Sequence, residues 1–223
     1  MMNKKNLIPW ENYSLAKRVY LVSYCLDADI VFLKTILCKD DILIGVDQGT
    51  EVLLKNNLYP DIIVGDFDSF SLNKNILPEK CLILELNPDK DESDLEYAVN
   101  LFYEKINIEI IIINNLQGRI DHILSVVYLL EKIENGCIQN AEQEVFLINK
   151  NFERELPINS TISLIPISEE VKSIFTEGML YRLANETLYR NETRGLSNKS
   201  VDKKIKIKFI VGKMLVVINK RIL

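Results

Sequence analysis

Short apolar runs alternate with amphipathic stretches from residue 18 to about residue 135. The apolar runs are rich in β-branched residues and almost continuous, which is typical of strands that are buried on both faces of a parallel sheet. We predict five such strands, in RVYLVSYC, DILIGVD, DIIVGD, CLILEL and IEIIIINN.

Four stretches between or after these runs have the spacing of helices. They are LDADIVFLKTILC, GTEVLLKNNL, SDLEYAVNLFYEKI and RIDHILSVVYLLEKIEN. In the third, apolar residues recur at i, i+3, i+4, i+7 and i+11 from Leu95, which forms one stripe along a helix. Strands that alternate with helices predict a doubly wound α/β domain, which we assign to residues 1–140.

The remaining residues, 141–223, follow a different pattern that indicates an all-β domain. We predict strands in EVFLINK, STISLIPI, SIFTEGMLYRL, ETLYR, KIKIKFIVG and KMLVVINK. Residues 203–209 alternate between charged and apolar, as a half-exposed strand does. We interpret residues 211–213 as a hairpin turn. Together these features predict a small β-sandwich or barrel.

Composition and charge exclude several classes of protein. The 27 Lys and Arg residues against 32 Asp and Glu give a net charge of −5, which argues against a protein that binds nucleic acid through charge. No apolar run approaches the roughly 20 residues of a membrane span, and the N-terminus lacks the apolar region of a secretory signal. The 4 cysteines form no CxxC pair, so we expect reduced thiols in a cytoplasmic protein.

Acidic residues follow several of the predicted strands. Asp47 follows the second strand, Asp66 and Asp68 follow the third, and Asp121 comes after the fifth. The fourth strand leads to a further acidic group, namely Asp89, Asp91, Glu92 and Asp94. Because ligands bind beyond the carboxyl ends of the strands in an open parallel sheet, we expect these side chains to share one edge.

Carboxylates that lie this close together need cations, because like charges repel. Oxygen ligands without His or Cys suit Mg²⁺ better than Zn²⁺. The extended chain would place Asp66 and Asp68 on the same face, although a lone DxD is a weak signal because Asp also forms caps and turns. Ser93 and Glu96 have the spacing of a helix capping box, a purely structural role.

Gly118 and Arg119 precede a predicted helix, where backbone N–H groups and a guanidinium could hold phosphate. An ordinary loop with a surface arginine explains them equally well. Neither GxxxxGK[ST] nor GxGxxG occurs in the sequence. A carboxylate–metal site with one arginine therefore remains, which suits the transfer of a phosphoryl or nucleotidyl group.

Taken in order, these motifs resemble the thiamine pyrophosphokinase family. The resemblance covers residues 41 to 198 through GVDQGTEVLLKNNLYPDIIVGDFDS, KDESDLE, QGRIDH, GMLYRL and GLSNKS. It implies an N-terminal α/β domain, a C-terminal β-sandwich that binds thiamine, and a homodimer with active sites between subunits. The implied reaction converts ATP and thiamine to thiamine diphosphate and AMP with Mg²⁺, by in-line attack of the thiamine hydroxyl on the β-phosphorus.

The resemblance also implies roles for residues of the α/β domain. Asp66, Asp68 and Asp94 would form the Mg²⁺–pyrophosphate site, and Asp121 would complete the acidic cluster as a fourth catalytic residue. The residues expected to contact ATP are Asp47, Gln48, Ser69, Asp91, Gly118 and Arg119. No general base is assigned.

In the β domain, the resemblance implies that Ser197 and Asn198 contact the substrate. Tyr181 would stack on the thiamine pyrimidine, or else be a half-buried strand aromatic. Three features depart from the family pattern: Gln48 stands where many members have Gly, Ser93 replaces Thr, and NNLQ replaces a Gly-rich turn.

Two other functions start from the same residues. A haloacid-dehalogenase-type phosphatase would use the DxD loop as its nucleophile, but that family needs Thr or Val where Phe70 stands. A regulatory module that binds nucleotide or thiamine without catalysis would be expected to lose acidic positions, yet Asp66, Asp68, Asp94 and Asp121 are all present.

Overall fold

The computed structural model describes residues 8, 13, 16–66, 76–102 and 107–220 of the chain. It divides into two compact units, Met1–Ala141 and Glu142–Leu223. No helix in the described part of the chain has both the length and the apolar character that crossing a bilayer requires.

A parallel sheet forms the centre of the first unit. Within its described residues the strands are β1 (Arg18–Val22), β2 (Ile42–Val46), β3 (Ile62–Gly65), β4 (Leu82–Glu85), β5 (Glu109–Ile113) and β6 (Gly136–Gln139). Their order across the sheet is β6-β5-β1-β2-β3-β4, and every neighbouring pair is parallel. All residues of β2 and β3 are buried, so the prediction of strands covered on both faces is confirmed.

Helices lie between β1 and β2, between β2 and β3, between β4 and β5, and between β5 and β6. In the described residues they are α1 (Asp27–Ile36), α2 (Gln48–Lys55), α3 (Asp94–Asn100) and α4 (Ile120–Leu129), and α4 continues into a 3₁₀ turn at Leu130–Lys132. Residues 103–106, which the sequence pattern assigns to the third helix, lie outside the described part.

The order of the strands reverses once, between β1 and β5. The chain moves across the sheet in one direction from β1 to β4 and then returns to the other side of β1. Because parallel crossovers are right-handed, this reversal places α1 and α2 on one face and α3 and α4 on the other. Contacts between α1 and α2, and between α3 and α4, agree with that arrangement. The predicted doubly wound α/β fold is confirmed.

The backbone at the start of α2 packs closely against the backbone at the end of β1. A Cβ atom at Gly49 would lie 2.1 Å from the carbonyl oxygen of Val22 and 2.5 Å from that of Ser23. Only glycine allows this contact, since both obstructing atoms are backbone. The contact determines where α2 begins, and therefore where Asp47, the residue before it, is held.

Gly49→Ala is therefore expected to lower the free energy of unfolding by about 1–3 kcal/mol, as other overpacking substitutions do. Alanine normally stabilises a helix relative to glycine, so helix propensity alone would raise the free energy of unfolding. A decrease would therefore be due to the steric clash. Urea unfolding followed by circular dichroism measures it. An unfolding free energy equal to or above that of the wild type would contradict the close contact.

The second unit consists of two antiparallel sheets. Its described strands are β7 (Gln143–Ile148), β8 (Phe152–Glu155), β9 (Thr161–Pro166), β10 (Glu170–Glu177), β11 (Ala184–Tyr189), β12 (Asn198–Lys199), β13 (Lys204–Lys208) and β14 (Met214–Asn219). One sheet has the order β12-β9-β14-β7 and the other β11-β10-β13-β8. Ile162 and Val216 from the first sheet share one core with Ile174 and Ile205 from the second. The β-sandwich is confirmed.

The prediction of a hairpin at residues 211–213 is wrong. Strand β13 pairs with β8 and β10, whereas β14 pairs with β7 and β9, so the segment between them crosses from one sheet to the other. Gly212 does turn the chain, with a φ of +107°. A turn residue between two apolar runs cannot by itself distinguish a hairpin from a crossing between sheets.

Three strands were not predicted from the sequence, and each is short or weakly apolar. Strand β6 contains only two apolar residues, Cys137 and Ile138. Strand β8 reads FERE, and β12 has 2 residues. The long run SIFTEGMLYRL also does not form one strand: β10 ends at Glu177, before Gly178 turns the chain with a φ of +75°.

Candidate active site

Three carboxylates converge at one edge of the parallel sheet. Oxygen atoms of Asp47, Asp66 and Asp94 all lie within 4.8 Å of one another, and all three residues are partly buried. Asp47 follows β2, Asp66 follows β3, and Asp94 begins α3. The sequence placed these residues at the carboxyl edge of the sheet, and the structure brings them together there.

The backbone holds Asp47 in an unusual conformation. Its φ is +47°, which is uncommon for a residue other than glycine. The backbone N–H of Asp47 donates to the carbonyl of Val64 in β3 at 2.9 Å, and its own carbonyl accepts from the N–H of Thr50 at 2.9 Å. These two hydrogen bonds connect the start of α2 to β3, so Asp47 is fixed beside the strand that leads to Asp66.

Asp94 is held in place by the first turn of α3. The hydroxyl of Ser93 accepts from the backbone N–H of Glu96 at 3.2 Å, so Ser93 is the N-cap, as predicted. The carboxylate of Glu96 accepts a hydrogen bond from Lys132 Nζ at 2.6 Å. The carboxylate of Asp94 forms an ion pair with Lys90, whose Nζ lies 2.6 Å from Asp94 Oδ1.

The chemistry of these donors fits a hard divalent cation. Asp47, Asp66 and Asp94 offer only carboxylate oxygens, and their mutual proximity is unfavourable unless positive charge offsets it. Oxygen-only ligand sets suit Mg²⁺ or Mn²⁺. A half-buried position also reduces screening by salt, so the attraction for a cation is stronger than at an exposed site.

A cavity of about 470 Å³ opens beside the carboxylates. Its lining comes from the ends of β1, β2 and β5, the first turn of α3 and residues along the length of α4, at the place where the strand order reverses. This is where open α/β sheets bind their ligands. Five of the predicted site residues line it: Asp47, Gln48, Asp94, Gly118 and Arg119.

Arg119, which lines this cavity, forms an exposed ion pair with Asp121. Arg119 Nη2 donates to Asp121 Oδ2 at 2.6 Å, and Arg119 Nε donates to Asp121 Oδ1 at 3.2 Å. This hydrogen bonding raises the pKa of Arg119 and lowers the pKa of Asp121 from their usual values. Both side chains are exposed, 74% for Arg119 and 59% for Asp121. Within the described residues, Asp121 is not part of the group formed by Asp47, Asp66 and Asp94.

The other predicted residues of this unit lie in different places. Asp91 is exposed in the segment that precedes α3. Asp68 and Ser69 lie outside the described residues, so their roles stay predictions.

In the second unit, the buried amide of Asn198 holds the backbone of Tyr181. Asn198 Oδ1 accepts from the Tyr181 N–H at 3.0 Å, and Asn198 Nδ2 donates to the Tyr181 carbonyl at 2.7 Å. The Tyr181 side chain is 68% exposed. Ser197 is also exposed, has a φ of +57°, and donates from its N–H to Ser163 Oγ at 3.1 Å. Tyr181 and Ser197 therefore present side chains to solvent, whereas Asn198 positions backbone.

Two family models together span most of the chain. Residues 33–142 match the catalytic domain of thiamin pyrophosphokinase, and residues 148–214 match its vitamin B1 binding domain. The chain belongs to the thiamin pyrophosphokinase family. Membership makes the protein a transferase and confirms the resemblance that the motifs indicated.

Individual members of the thiamin pyrophosphokinase family show the same relationship. The thiamine pyrophosphokinase of Bacillus subtilis is 29% identical over 182 residues, which are 78% of this chain and 85% of that protein. Thiamine pyrophosphokinase 1 of Oryza sativa subsp. japonica is 27% identical over 147 residues, which are 58% of this chain and 54% of that protein.

Solved structures from the family share the fold. The crystal structure of the Bacillus subtilis thiamine pyrophosphokinase superposes with a TM-score of 0.81 at 24% identity, covering 92% of this chain and 100% of that one. The thiamin pyrophosphokinase of Candida albicans gives 0.74 at 16% identity, covering 98% and 94%. The family assignment replaces the dehalogenase-type phosphatase and the non-catalytic module as explanations of the acidic residues.

Sequence reasoning missed the uncharged polar residues at the edge of this thiamin pyrophosphokinase fold. Asn114, which follows β5, donates from Nδ2 to Ser23 Oγ at 3.0 Å, and Asn140 Nδ2 donates to the Asn114 carbonyl at 3.1 Å. Ser23 and Asn114 both line the cavity. The rule that located the carboxylates, polar residues directly after buried strands, would have found them had it been applied to uncharged side chains.

All four cysteines are free thiols in the structure. Burial raises the pKa of Cys25 to about 12 and that of Cys81 to about 11. These two thiols therefore stay protonated near neutral pH, which argues against either as a nucleophile.

Proposed function

We propose that the protein transfers the pyrophosphoryl group of ATP to the hydroxyl of thiamine, giving thiamine diphosphate and AMP, with Mg²⁺ as cofactor. The observation that carries this proposal is the group formed by Asp47, Asp66 and Asp94 beside a cavity where the strand order reverses. A volume of about 470 Å³ is in the usual range for small-molecule sites.

The carboxylates are the groups that would hold the cation. Asp66 and Asp94, with Asp68, are the proposed ligands, and Asp47 supplies a further oxygen next to them. When bound, Mg²⁺ supplies charge neutralisation for the phosphates of ATP. The backbone contacts of Asp47 and the cap of α3 keep the donors in place before substrate arrives.

Arg119 is the residue that we expect to bind the transferred phosphates. Arg119 lines the cavity, and its guanidinium forms an exposed ion pair with Asp121. Exposed ion pairs contribute little to stability, so opening this one to bind phosphate costs little. Gly118 has a φ of +92° and open space where a side chain would be. It lines the same cavity as Gln48, so the phosphates have room to bind there.

The transfer requires in-line attack of the thiamine hydroxyl on the β-phosphorus while AMP leaves. The residues must therefore hold the β- and γ-phosphates together, and a loose transition state needs no strong base. We propose that two exposed residues of the vitamin B1 binding unit, Tyr181 and Ser197, contact thiamine. We propose a cytoplasmic homodimer in which catalytic and B1-binding units from different subunits act on the same substrates.

The test follows the phosphorus atoms of ATP. With γ-labelled ATP, thiamine and Mg²⁺, the transferred label is expected in thiamine diphosphate, with one AMP formed for each. An analogue with methylene between the β- and γ-phosphorus should react, because that bond is never broken, whereas methylene between α and β should give an inhibitor. Formation of ADP and thiamine monophosphate would overturn the proposal while leaving the fold intact.

A further inference from the structure

One lysine reaches directly into the carboxylate group. Lys90 Nζ lies 2.6 Å from Asp94 Oδ1, and the two side chains are only 18% and 14% exposed. Lys55 and Glu51 in α2 form a pair of the same spacing at 2.7 Å, but their side chains are 66% and 42% exposed. The Lys90 pair is therefore shielded from water where an ordinary surface pair is not.

The surroundings of Asp94 give this ion pair its significance. Asp94 is one of three carboxylates whose oxygens lie within 4.8 Å of one another. Without a bound metal ion, the three carboxylates repel one another, and the Lys90 ammonium offsets part of that repulsion. The same ammonium is a positive charge close to the position where a divalent ion would be held, and it repels that ion.

The geometry points to Lys90 as a built-in counter-ion. In the metal-free protein its ammonium stabilises the cluster of Asp47, Asp66 and Asp94, and it leaves Asp94 when a metal ion binds. This inference rests on the proposed metal site and adds a residue that sets its affinity. Lysine suits such a role because its ammonium is a compact charge on a flexible four-carbon stem, so it can leave Asp94 without moving backbone.

Lys90→Gln is expected to change stability and metal affinity in opposite directions. The metal-free protein should melt at a lower temperature than the wild type, because Asp94 loses the ammonium that pairs with it. The divalent ion should bind about tenfold more tightly, the size of effect that one neighbouring charge commonly has on a charged site. In saturating Mg²⁺ the deficit in melting temperature should shrink or reverse. A purely structural lysine would lower the melting temperature equally with and without metal.

Two other lysine variants control for charge and for loss of an ion pair. Lys90→Arg keeps the positive charge and should keep the metal affinity near that of the wild type. Lys55→Gln removes an ion pair of the same spacing on α2 and should leave the metal affinity unchanged. Lys90→Met removes the charge and keeps an unbranched aliphatic chain, which supplies the same comparison if the Gln variant does not fold.

The experiment titrates Mn²⁺, an ion with the same preference for oxygen ligands, into protein without nucleotide and follows free Mn²⁺ by electron paramagnetic resonance. Thermal unfolding in EDTA and in Mg²⁺ gives the stability comparison. If the wild type binds Mn²⁺, Asp66→Asn does not, and Lys90→Gln binds it no more tightly than the wild type, the role of Lys90 alone is overturned. If the wild type binds no Mn²⁺, or if Asp66→Asn binds it as well as the wild type does, the metal site is overturned too.

Discussion

Asp66→Asn is expected to fold like the wild type and to lose most of its turnover, with kcat/KM lower by about 10²–10³-fold, the loss seen when one preorganised electrostatic group is removed from an active site. The substitution is nearly isosteric and removes one charge from the group of three carboxylates. We attribute the loss to weaker binding of the cation that offsets the phosphate charge. Steady-state assays across a range of Mg²⁺ concentrations measure it, and higher Mg²⁺ should recover part of the activity.

Stability without metal supplies the second readout for this variant. Because Asp47, Asp66 and Asp94 repel one another, Asp66→Asn should melt in EDTA at the same temperature as the wild type or higher. Asp89→Asn is the matched control, since Asp89 is an exposed acid of the loop between β4 and α3 and lies outside the cluster. Near-normal activity of Asp66→Asn at low Mg²⁺ would contradict a metal-ligand role for Asp66.

The strands that the sequence predicted have a clear apolar pattern, either continuous, as in β2 and β3, or alternating with charged residues, as in β13. Strands β2 and β3 are covered on both faces, so their apolar runs are continuous and easily recognised. Strand β8 alternates between half-buried and exposed residues and carries three charges, so its pattern resembles that of a loop. The wrong hairpin at residues 211–213 has a related cause, because local turn chemistry does not encode which sheet the next strand joins.

The charged residues of the site could be predicted from the sequence. Asp47, Asp66 and Asp94 could be placed together because topology brings the carboxyl ends of parallel strands to one edge. Hydrogen bonds from a single buried side chain to the backbone of another segment could not be predicted in this way. The bonds from Asn198 to the backbone of Tyr181, for example, span 17 residues. Such pairings depend on the folded sheet and leave no local signal.

Lys90 illustrates a further limit. Its spacing from Asp94 is that of an ion pair within a helix, yet α3 begins only at Asp94 and Lys90 belongs to the preceding loop. Helical spacing therefore does not explain the contact. The shielded position of both side chains distinguishes it from the exposed Lys55–Glu51 pair, and exposure is visible only in the structure.

Mixing two inactive variants is expected to restore activity if each active site draws on two subunits. Asp66→Asn damages the catalytic unit, and Tyr181→Ala damages the vitamin B1 binding unit. Tyr181 suits this test because its side chain is 68% exposed and its backbone is held by Asn198, so truncation should leave the fold intact. Asn198→Ala would suit it less well, because removal of the buried amide leaves the Tyr181 backbone without its partners.

In a mixed dimer of this kind, one site carries both lesions and the other carries neither. Random exchange makes half of the dimers mixed, each with one intact site, so activity should recover to about a quarter of the wild-type value. Each variant is assayed alone first, and retained activity of Tyr181→Ala alone would contradict the proposed contact of Tyr181 with thiamine. Subunit exchange is verified with differently tagged chains. No recovery despite exchange would mean that each site is built within one chain, because both sites of every mixed dimer would then carry a single lesion.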